Sequence, residues 1–221
     1  VLRMRPGEKI RVCTRNGQNY FCSISDITES FVRADILEKE AESTELPCRI
    51  YLFQGLPKND KMEWIIQKTV ELGVYEVIPV AMKNCVVKLD DKKAKSKVTR
   101  WQAIAESAAK QSKRSLIPEV KMPMSYKEAV AYAKKLDVKL VPYENEHGMA
   151  GTKAAMEQIK KGESIAVFIG PEGGFAPEEI ALVQDEMQLI SLGKRILRTE
   201  TAGIAALAIL GYQLESSDMI E

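Results

Sequence analysis

Residues 165–177 read Ile-Ala-Val-Phe-Ile-Gly-Pro-Glu-Gly-Gly-Phe-Ala-Pro, and they give the strongest indication of the fold class. The first five residues form a short apolar run that is typical of a buried strand. The glycine-rich residues 170–174 follow, and Pro177 with Glu178 and Glu179 is typical of the first turn of a helix. A strand, a glycine loop and a helix in this order indicate an α/β sheet, in which ligands bind at the carboxyl ends of the strands.

Strand-like and helix-like segments alternate on both sides of this stretch. Before it we predict strand Arg49–Gln54, helix Asp60–Leu72, strand Val77–Ala81, helix Lys92–Gln111, helix Ser125–Leu136, strand Leu140–Pro142 and helix Thr152–Ile159; after it, helix Pro177–Met187, strand Leu189–Leu192 and helix Thr199–Leu214. This alternation predicts an α/β domain with a mostly parallel sheet.

A second loop of similar character follows the strand that ends at Leu192. Residues 193–202 read Gly-Lys-Arg-Ile-Leu-Arg-Thr-Glu-Thr-Ala and combine a glycine with cations and an acid. If the two strands are neighbours, the two loops converge on a pocket that contains Glu172, Arg198 and Glu200. The alternative is that both loops are ordinary turns and helix caps. The loop at 170–174 has neither the Walker A nor the dinucleotide-binding glycine pattern.

The first 46 residues have a different, strand-rich pattern. We predict a small β-barrel, or part of one, with strands over Lys9–Cys13, Tyr20–Ile27 and Phe31–Leu37 and a turn at residues 15–18. The acidic stretch Glu38–Glu45 has little apolar surface to bury and is followed by Pro47, so we place a boundary near Leu46. The predicted domains are residues 1–46 and 47–221.

Composition excludes several classes of protein. The chain has 221 residues, 45% hydrophobic and 29% charged, with a formal net charge of +1, as in an ordinary globular protein. No apolar run is long enough to cross a membrane and no signal pattern is present, so we expect a cytoplasmic protein. The scattered cysteines 13, 22, 48 and 85 and the single His147 have no metal-ligand spacing, so we expect no metal and no disulfide framework.

The near-neutral total hides a basic stretch. Residues 83–121 contain eleven Lys and Arg against four acidic residues, a local net charge of +7. Arg100 and Trp101 lie in the first half of its predicted helix, and Gln111, Lys113 and Arg114 lie at its end. The stretch fits a surface that meets phosphates, although a merely solvated lysine-rich face has the same composition.

The last predicted helix is apolar or small on every face over Thr201–Gly211. Such a helix is unsuited to face solvent. It belongs either in the centre of the domain or at a subunit interface, where small residues permit close approach of another helix.

Several of these stretches together resemble a known family. They are Leu56–Glu63, Gln67–Val74, Arg100-Trp101, Gln111–Arg114, Ile169–Phe175 and Leu192–Ala206. In content and order they look like the 16S rRNA uracil-N3 methyltransferases of the RsmE type, over nearly the whole chain. The resemblance implies a SPOUT-type sheet with a deep trefoil knot, preceded by a PUA-like β-barrel that binds RNA. It also implies S-adenosylmethionine as cofactor, a homodimer through the knot, and a decoding-region uridine of the small ribosomal subunit as substrate.

Roles carry over to the matching residues of this sequence. The resemblance implies a cofactor pocket lined by Gly170, Pro171, Glu172, Gly173, Gly174, Leu192, Gly193, Ile196, Leu197 and Arg198, with Tyr143 and Glu144 after an earlier strand. We expect RNA contacts from Arg100, Gln111, Lys113, Arg114, Arg3 and Arg5. The family usually has a segment before the first residue of this chain, so we expect part of the barrel to be missing. Asn84-Cys85 replaces the Arg-Ser usual in the family.

The reaction that the resemblance implies requires removal of the N3 proton of uridine. The pKa of uridine N3 lies roughly two units above neutrality, so forming the anion at pH 7 costs about 3 kcal/mol. We expect Glu200 or Glu172 to accept the proton and Arg198 to stabilise the charge on the uracil oxygens. Two other readings stay open: a non-catalytic RNA-binding module, and a Rossmann-like enzyme of small metabolites.

Overall fold

The computed structural model describes residues 4–14, 18–40 and 43–217. Arg3 and residues 15–17 of the predicted turn lie outside this part of the chain. The chain divides into two compact units. The first comprises Val1–Glu45 with Lys113–Ile117, and the second comprises Leu46–Ser112 with Pro118–Glu221.

The first unit is built on an antiparallel sheet. Its strands are β1 (Lys9–Cys13), β2 (Asn19–Ile27) and β3 (Val32–Lys39), in the order β1-β2-β3. The register between β2 and β3 shifts at two points, between Phe21 and Cys22 and between Ile24 and Asp26. Such shifts are typical of bulges, which bend a strand and increase its twist.

Residues 113–117 join this sheet through polar contacts that the sequence did not reveal. The guanidinium of Arg114 is buried and pairs with the carboxylate of Glu45, which also accepts from the backbone N–H of Ser115 at 2.9 Å. The Asn19 amide donates to the Ser115 hydroxyl at 2.6 Å. Because a buried cation needs a partner, we expect Arg114 to stay paired with Glu45.

The second unit has a parallel sheet covered by helices. Its elements are β4 (Arg49–Gly55), α1 (Lys61–Glu71), β5 (Val74–Ala81), α2 (Asp91–Gln111), β6 (Glu119–Val120), β7 (Met124–Ser125), α3 (Tyr126–Ala133), β8 (Val138–Pro142), α4 (Ala150–Glu157), β9 (Ser164–Ile169), α5 (Pro177–Ala181), β10 (Gln188–Ile190) and α6 (Thr199–Ser217). The strand order is β10-β8-β9-β4-β5-β6, every pairing is parallel, and β7 also pairs with β5. The predicted α/β class is confirmed.

The core lies around the two central strands. Nearly every residue of β4 and β9 is buried, which is why both read as unbroken apolar runs rather than as alternating patterns. The rings of Phe53 and Phe168 stack face to face, with centroids 4.3 Å apart. Helix α1 buries Met62, Ile65, Ile66, Thr69 and Val70, the spacing of one helical face.

Two of the differences from the sequence analysis bear on the two strand-end loops. Helix α5 ends at Ala181 rather than Met187, because residues 182–187 form turns. Strands β9 and β10 are not neighbours, since β8 lies between them. The condition under which we expected the two loops to converge is therefore not met, and their meeting needs another cause.

Helix α6 is two-sided. Ala206, Leu207, Leu210 and Leu214 are buried, whereas Ala208 and Tyr212 are exposed. Within the described residues, no helix has the length and apolarity needed to cross a membrane. In that same part of the chain, no cluster of three or more His, Cys, Asp and Glu could hold a metal ion.

Truncation of a buried core side chain should lower the free energy of unfolding much more than truncation of an exposed one. We expect Leu52→Ala, at a fully buried position of β4, to lower the free energy of unfolding by about 2–5 kcal/mol because it leaves a cavity. Leu182→Ala, at a half-exposed position, should lower it by less than about 1 kcal/mol. Urea denaturation followed by circular dichroism measures both, and equal losses would contradict this placement of the core.

Candidate functional site

The loops after β4, β5, β8, β9 and β10 leave the carboxyl edge of the sheet. We call residues 170–175 the glycine loop and residues 191–198 the second loop. The glycine loop packs tightly against the end of β4. A Cβ added to Gly55 would lie 2.7 Å from the backbone nitrogen of Pro171, so only glycine permits this approach.

A buried hydrogen-bond chain joins the start of α6 to the glycine loop. The Thr199 hydroxyl donates to the Gly170 carbonyl at 2.6 Å and accepts from the Gln54 amide at 2.9 Å. Gln54 also donates to the Gly55 carbonyl at 3.1 Å. The second loop ends at Arg198, next to Thr199, so these hydrogen bonds bring it to the glycine loop although β8 separates their strands.

Lys61 joins two of the predicted catalytic residues. Its Nζ lies 3.0 Å from Glu172 Oε1 and 3.2 Å from Glu200 Oε2. Glu172 also accepts from the backbone N–H of Lys58 at 3.1 and 3.3 Å. Burial by itself would raise the pKa of Glu172, but the loop's own backbone N–H, Lys61 and Lys58 outweigh it and hold that pKa below its usual value. Bonds to Glu172 and then Glu200 raise the pKa of Lys61.

Asn84 supports the glycine loop from the segment after β5. Its amide donates to the carbonyls of Gly173 at 3.0 Å and Gly174 at 3.3 Å, and a Cβ on Gly173 would lie 2.9 Å from Asn84 Cβ. Next to it, the Cys85 thiol is buried, and burial raises its pKa. Asn84 is thus a loop contact at the position where the sequence departs from the family pattern.

The second loop is more open than the glycine loop. Gly193 has a φ of +112°, a conformation that favours glycine, and Ile196 is 85% exposed. Leu192 and Leu197 are partly buried. Arg198 is exposed, and its guanidinium has no ion pair with a described residue.

Tyr143 and Glu144 lie in the loop after β8, and Glu144 reaches the glycine loop. The Tyr143 backbone N–H donates to the Ile190 carbonyl at 3.0 Å, which aligns this loop with β10. Glu144 Oε1 lies 3.4 Å from where a Cβ on Gly174 would stand, and Gly174 has a φ of +65°. The structure therefore brings together three of the loops from which the predicted cofactor residues come.

The predicted RNA-binding residues are scattered. Arg100 on α2 is exposed and pairs with Glu63 at 2.8 Å, and Gln111 is exposed at the end of that helix. Lys113 and Arg114 belong to the first unit instead, where Arg114 is buried. Arg5 is exposed in the first unit, with its backbone N–H bonded to Glu8.

Two cavities lie away from the glycine loop's own residues. One, of about 720 Å³, is at the amino ends of β8 and β10. The other, of about 370 Å³, lies beneath residues 82–89 and is lined by Leu56, Met82, Cys85, Val87, Leu89 and Met124 among others. Neither includes Glu172, Arg198 or Glu200 in its lining.

Sequence reasoning missed four residues of this site: Gln54, Lys61, Asn84 and Thr199. Lys61 stood inside a quoted family motif, and Thr199 inside another, but no role was assigned to either. A buried amide at the end of an apolar strand was the available signal for Gln54, because a buried polar group needs a partner.

The close approach at Gly55 can be tested. We expect Gly55→Ala to lower the free energy of unfolding by about 1–3 kcal/mol, because the new methyl group meets backbone that has no room to yield. Gly151→Ala on α4, where nothing lies within 4 Å, should leave stability unchanged or raise it by up to about 1 kcal/mol. Urea denaturation measures both, and the same result for the two variants would argue against the contact.

Comparisons with known proteins cover both units. A family model described as an RNA methyltransferase domain matches residues 44–211, and one described as an RNA methyltransferase PUA domain matches residues 1–37. Ribosomal RNA small subunit methyltransferase E of Bacillus subtilis (strain 168) is 39% identical over 97% of this chain and 86% of that protein. The crystal structure of the Neisseria gonorrhoeae protein of that name, bound to S-adenosyl methionine, has a TM-score of 0.80 and 33% identity, over 95% of this chain and 85% of that one.

Proposed function

Because this chain belongs to the RNA methyltransferase family, we propose that it transfers a methyl group from S-adenosylmethionine to N3 of a uridine in 16S rRNA of the small ribosomal subunit. The observation that carries the proposal is the hydrogen bond between Thr199 and Gly170, which brings together, at one edge of the sheet, two loops of the kind that bind ligands. The names of relatives at this identity and coverage support the substrate. We include a cytoplasmic location in the proposal, because the proposed substrate is ribosomal RNA.

The residues present fit the cofactor. Glu172, Glu200 and Lys61 together carry a net charge of −1, which complements a sulfonium cation. The glycine loop exposes backbone groups that can hold adenine edges, and the missing Walker lysine agrees with a ligand that has no phosphate. Residues 170–174, 192, 193 and 196–198, with Tyr143 and Glu144, would line the pocket. When bound, the cofactor supplies a methyl group activated by its attachment to positively charged sulfur.

The two candidate bases have different surroundings. Glu172 is held by Lys58 and Lys61, and its lowered pKa makes it a poor proton acceptor. We assign it to holding the glycine loop. Glu200 contacts Lys61 through one oxygen only, so we assign the acceptance of the N3 proton to Glu200. Arg198, which has no ion pair among the described residues, is placed to stabilise charge on the uracil oxygens.

Positively charged and polar residues would hold the RNA backbone. Arg100, Gln111, Lys113, Arg5 and Arg3 are the proposed contacts, and Arg3 lies outside the described residues. Arg114 is proposed to fasten residues 113–117 rather than to contact RNA, because its guanidinium is buried on Glu45. Phosphate contacts of this kind position the substrate without reading its sequence.

We also propose that the protein forms a homodimer and that its chain is knotted. The exposed face of α6 supports the dimer, and the order of the strands supports the knot. The outward face of α6 carries no charge at four positions: Ala208 is exposed, Tyr212 is 75% exposed, and Ile204 and Ala205 are partly covered. A second copy of this chain would bury that face. The knot is supported by chain order, since the chain crosses β8 to form β10 and then returns as α6 against β9 and β4.

Calorimetric titration tests the cofactor first. We expect one site per chain for S-adenosylmethionine and for its demethylated product, and no binding of ATP. Binding of RNA alone would favour the non-catalytic module, and binding of ATP alone would favour the small-metabolite enzyme. Methyl transfer to undermethylated small subunits, located by mass spectrometry of the digested RNA, then tests the substrate.

Arg198 and Glu200 should be needed for that transfer. We expect Arg198→Ala and Glu200→Gln each to lower kcat/KM at least about tenfold, because each removes stabilisation formed during the proton and methyl transfers. Lys127→Ala, at an exposed position of α3, is the control and should keep the parent rate. Parent rates in both site variants would contradict the assignment.

The dimer should depend on the outer face of α6. We expect the parent to have twice the chain mass of 24.7 kDa in light scattering, and Tyr212→Asp to shift it toward one chain, because a charge is costly to bury. Ile117→Asp, at another exposed apolar position, should leave the dimer intact. A monomeric parent at micromolar concentration would contradict the proposal.

A further inference from the structure

The geometry points to Lys61 as a positioning residue for methyl transfer: it ties the glycine loop to the first turn of α6 and supplies one positive charge shared by the two carboxylates there. The inference rests on the proposed function and adds a residue to its machinery. Lys61 itself is assigned no contact with the substrate.

Lys61 is well placed to hold two elements at once. It is the first residue of α1, whose buried Met62, Ile65 and Ile66 hold the helix on the sheet. From this rigid base its Nζ reaches Glu172 in the glycine loop at 3.0 Å and Glu200 in α6 at 3.2 Å. The link runs parallel to the buried Thr199 bond and lies nearer to solvent.

The link differs from an ordinary surface ion pair. The side chains of Lys61, Glu172 and Glu200 are only 27%, 24% and 18% exposed, so solvent screens their charges incompletely. Lys68, on the same helix, makes a similar contact with Glu71 at 2.9 Å and 29% exposure, but neither residue touches the two loops. Lys68 therefore provides a matched control.

Removing the ammonium group changes the charge balance of the site. Glu172 and Glu200 would then face each other without a shared cation, and neighbouring like charges raise the pKa of a carboxyl group. A carboxylate that must be ionised to accept the N3 proton would then be protonated at a higher pH. The acidic limb of the pH–rate profile should therefore move to higher pH.

The experiment compares Lys61→Met, Lys61→Arg and Lys68→Met in the full chain. We measure kcat, KM for RNA, the affinity for S-adenosylmethionine, the melting temperature and the pH–rate profile. We expect Lys61→Met to lower kcat at least about tenfold and to move the acidic limb up by about one pH unit. Lys61→Arg should restore most of the rate, and Lys68→Met should match the parent.

A second variant separates charge from folding. In Lys61→Met/Glu172→Gln only one of the two carboxylates is left, so the acidic limb should return toward its parent position even if stability stays low. An unmoved limb in Lys61→Met, or a loss explained by melting temperature and cofactor affinity alone, would overturn the inference. If the parent methylates RNA and Lys61→Met gives either of these overturning results, only the role of Lys61 is refuted. If the parent methylates no RNA, the proposed function is overturned as well.

Discussion

The hydrogen bond from the Thr199 hydroxyl to the Gly170 carbonyl is the contact on which the site depends. Strand β8 separates β9 from β10, so the strands alone would leave the two loops about 10 Å apart, twice the spacing of neighbouring strands. Thr199 begins α6 and receives a second bond from Gln54 at the end of β4. The start of α6 is thereby fixed over the centre of the sheet, and the loop before it must return there.

Glycines allow the glycine loop and the second loop to meet in two ways. Gly55 and Gly173 let neighbouring segments approach more closely than any side chain would allow. Gly174 and Gly193 take up positive φ angles in the two loops. A glycine-rich strand end therefore reflects loop-to-loop packing as well as ligand binding, and Asn84 occupies the space that Gly173 leaves.

Charge is distributed less simply than the sequence indicated. Five cations of the basic stretch pair with acidic residues outside it, so five of its seven excess positive charges are compensated: Lys83, Lys97, Arg100, Arg114 and Lys121. Lys88, Lys92 and Lys95 have no such partner among the described residues. Arg114 has a structural role because residues 113–117 fold with the first unit. There it pairs with Glu45, which is far away in the sequence.

Local pattern was sufficient for strands β4, β5, β8, β9 and β10, the glycine loop and the family, because apolar periodicity and turn residues act over a few neighbouring positions. The two-residue strands β6 and β7 are too short to have such a pattern. Local pattern placed Glu172, Arg198 and Glu200 in two strand-end loops but gave the wrong reason for their meeting. Only the tertiary structure decided that Thr199, Gln54 and Lys61 bring those loops together. The physical reason is that these side chains act across the strand order, between residues distant in sequence, where a hydrogen bond or ion pair leaves no local pattern to read.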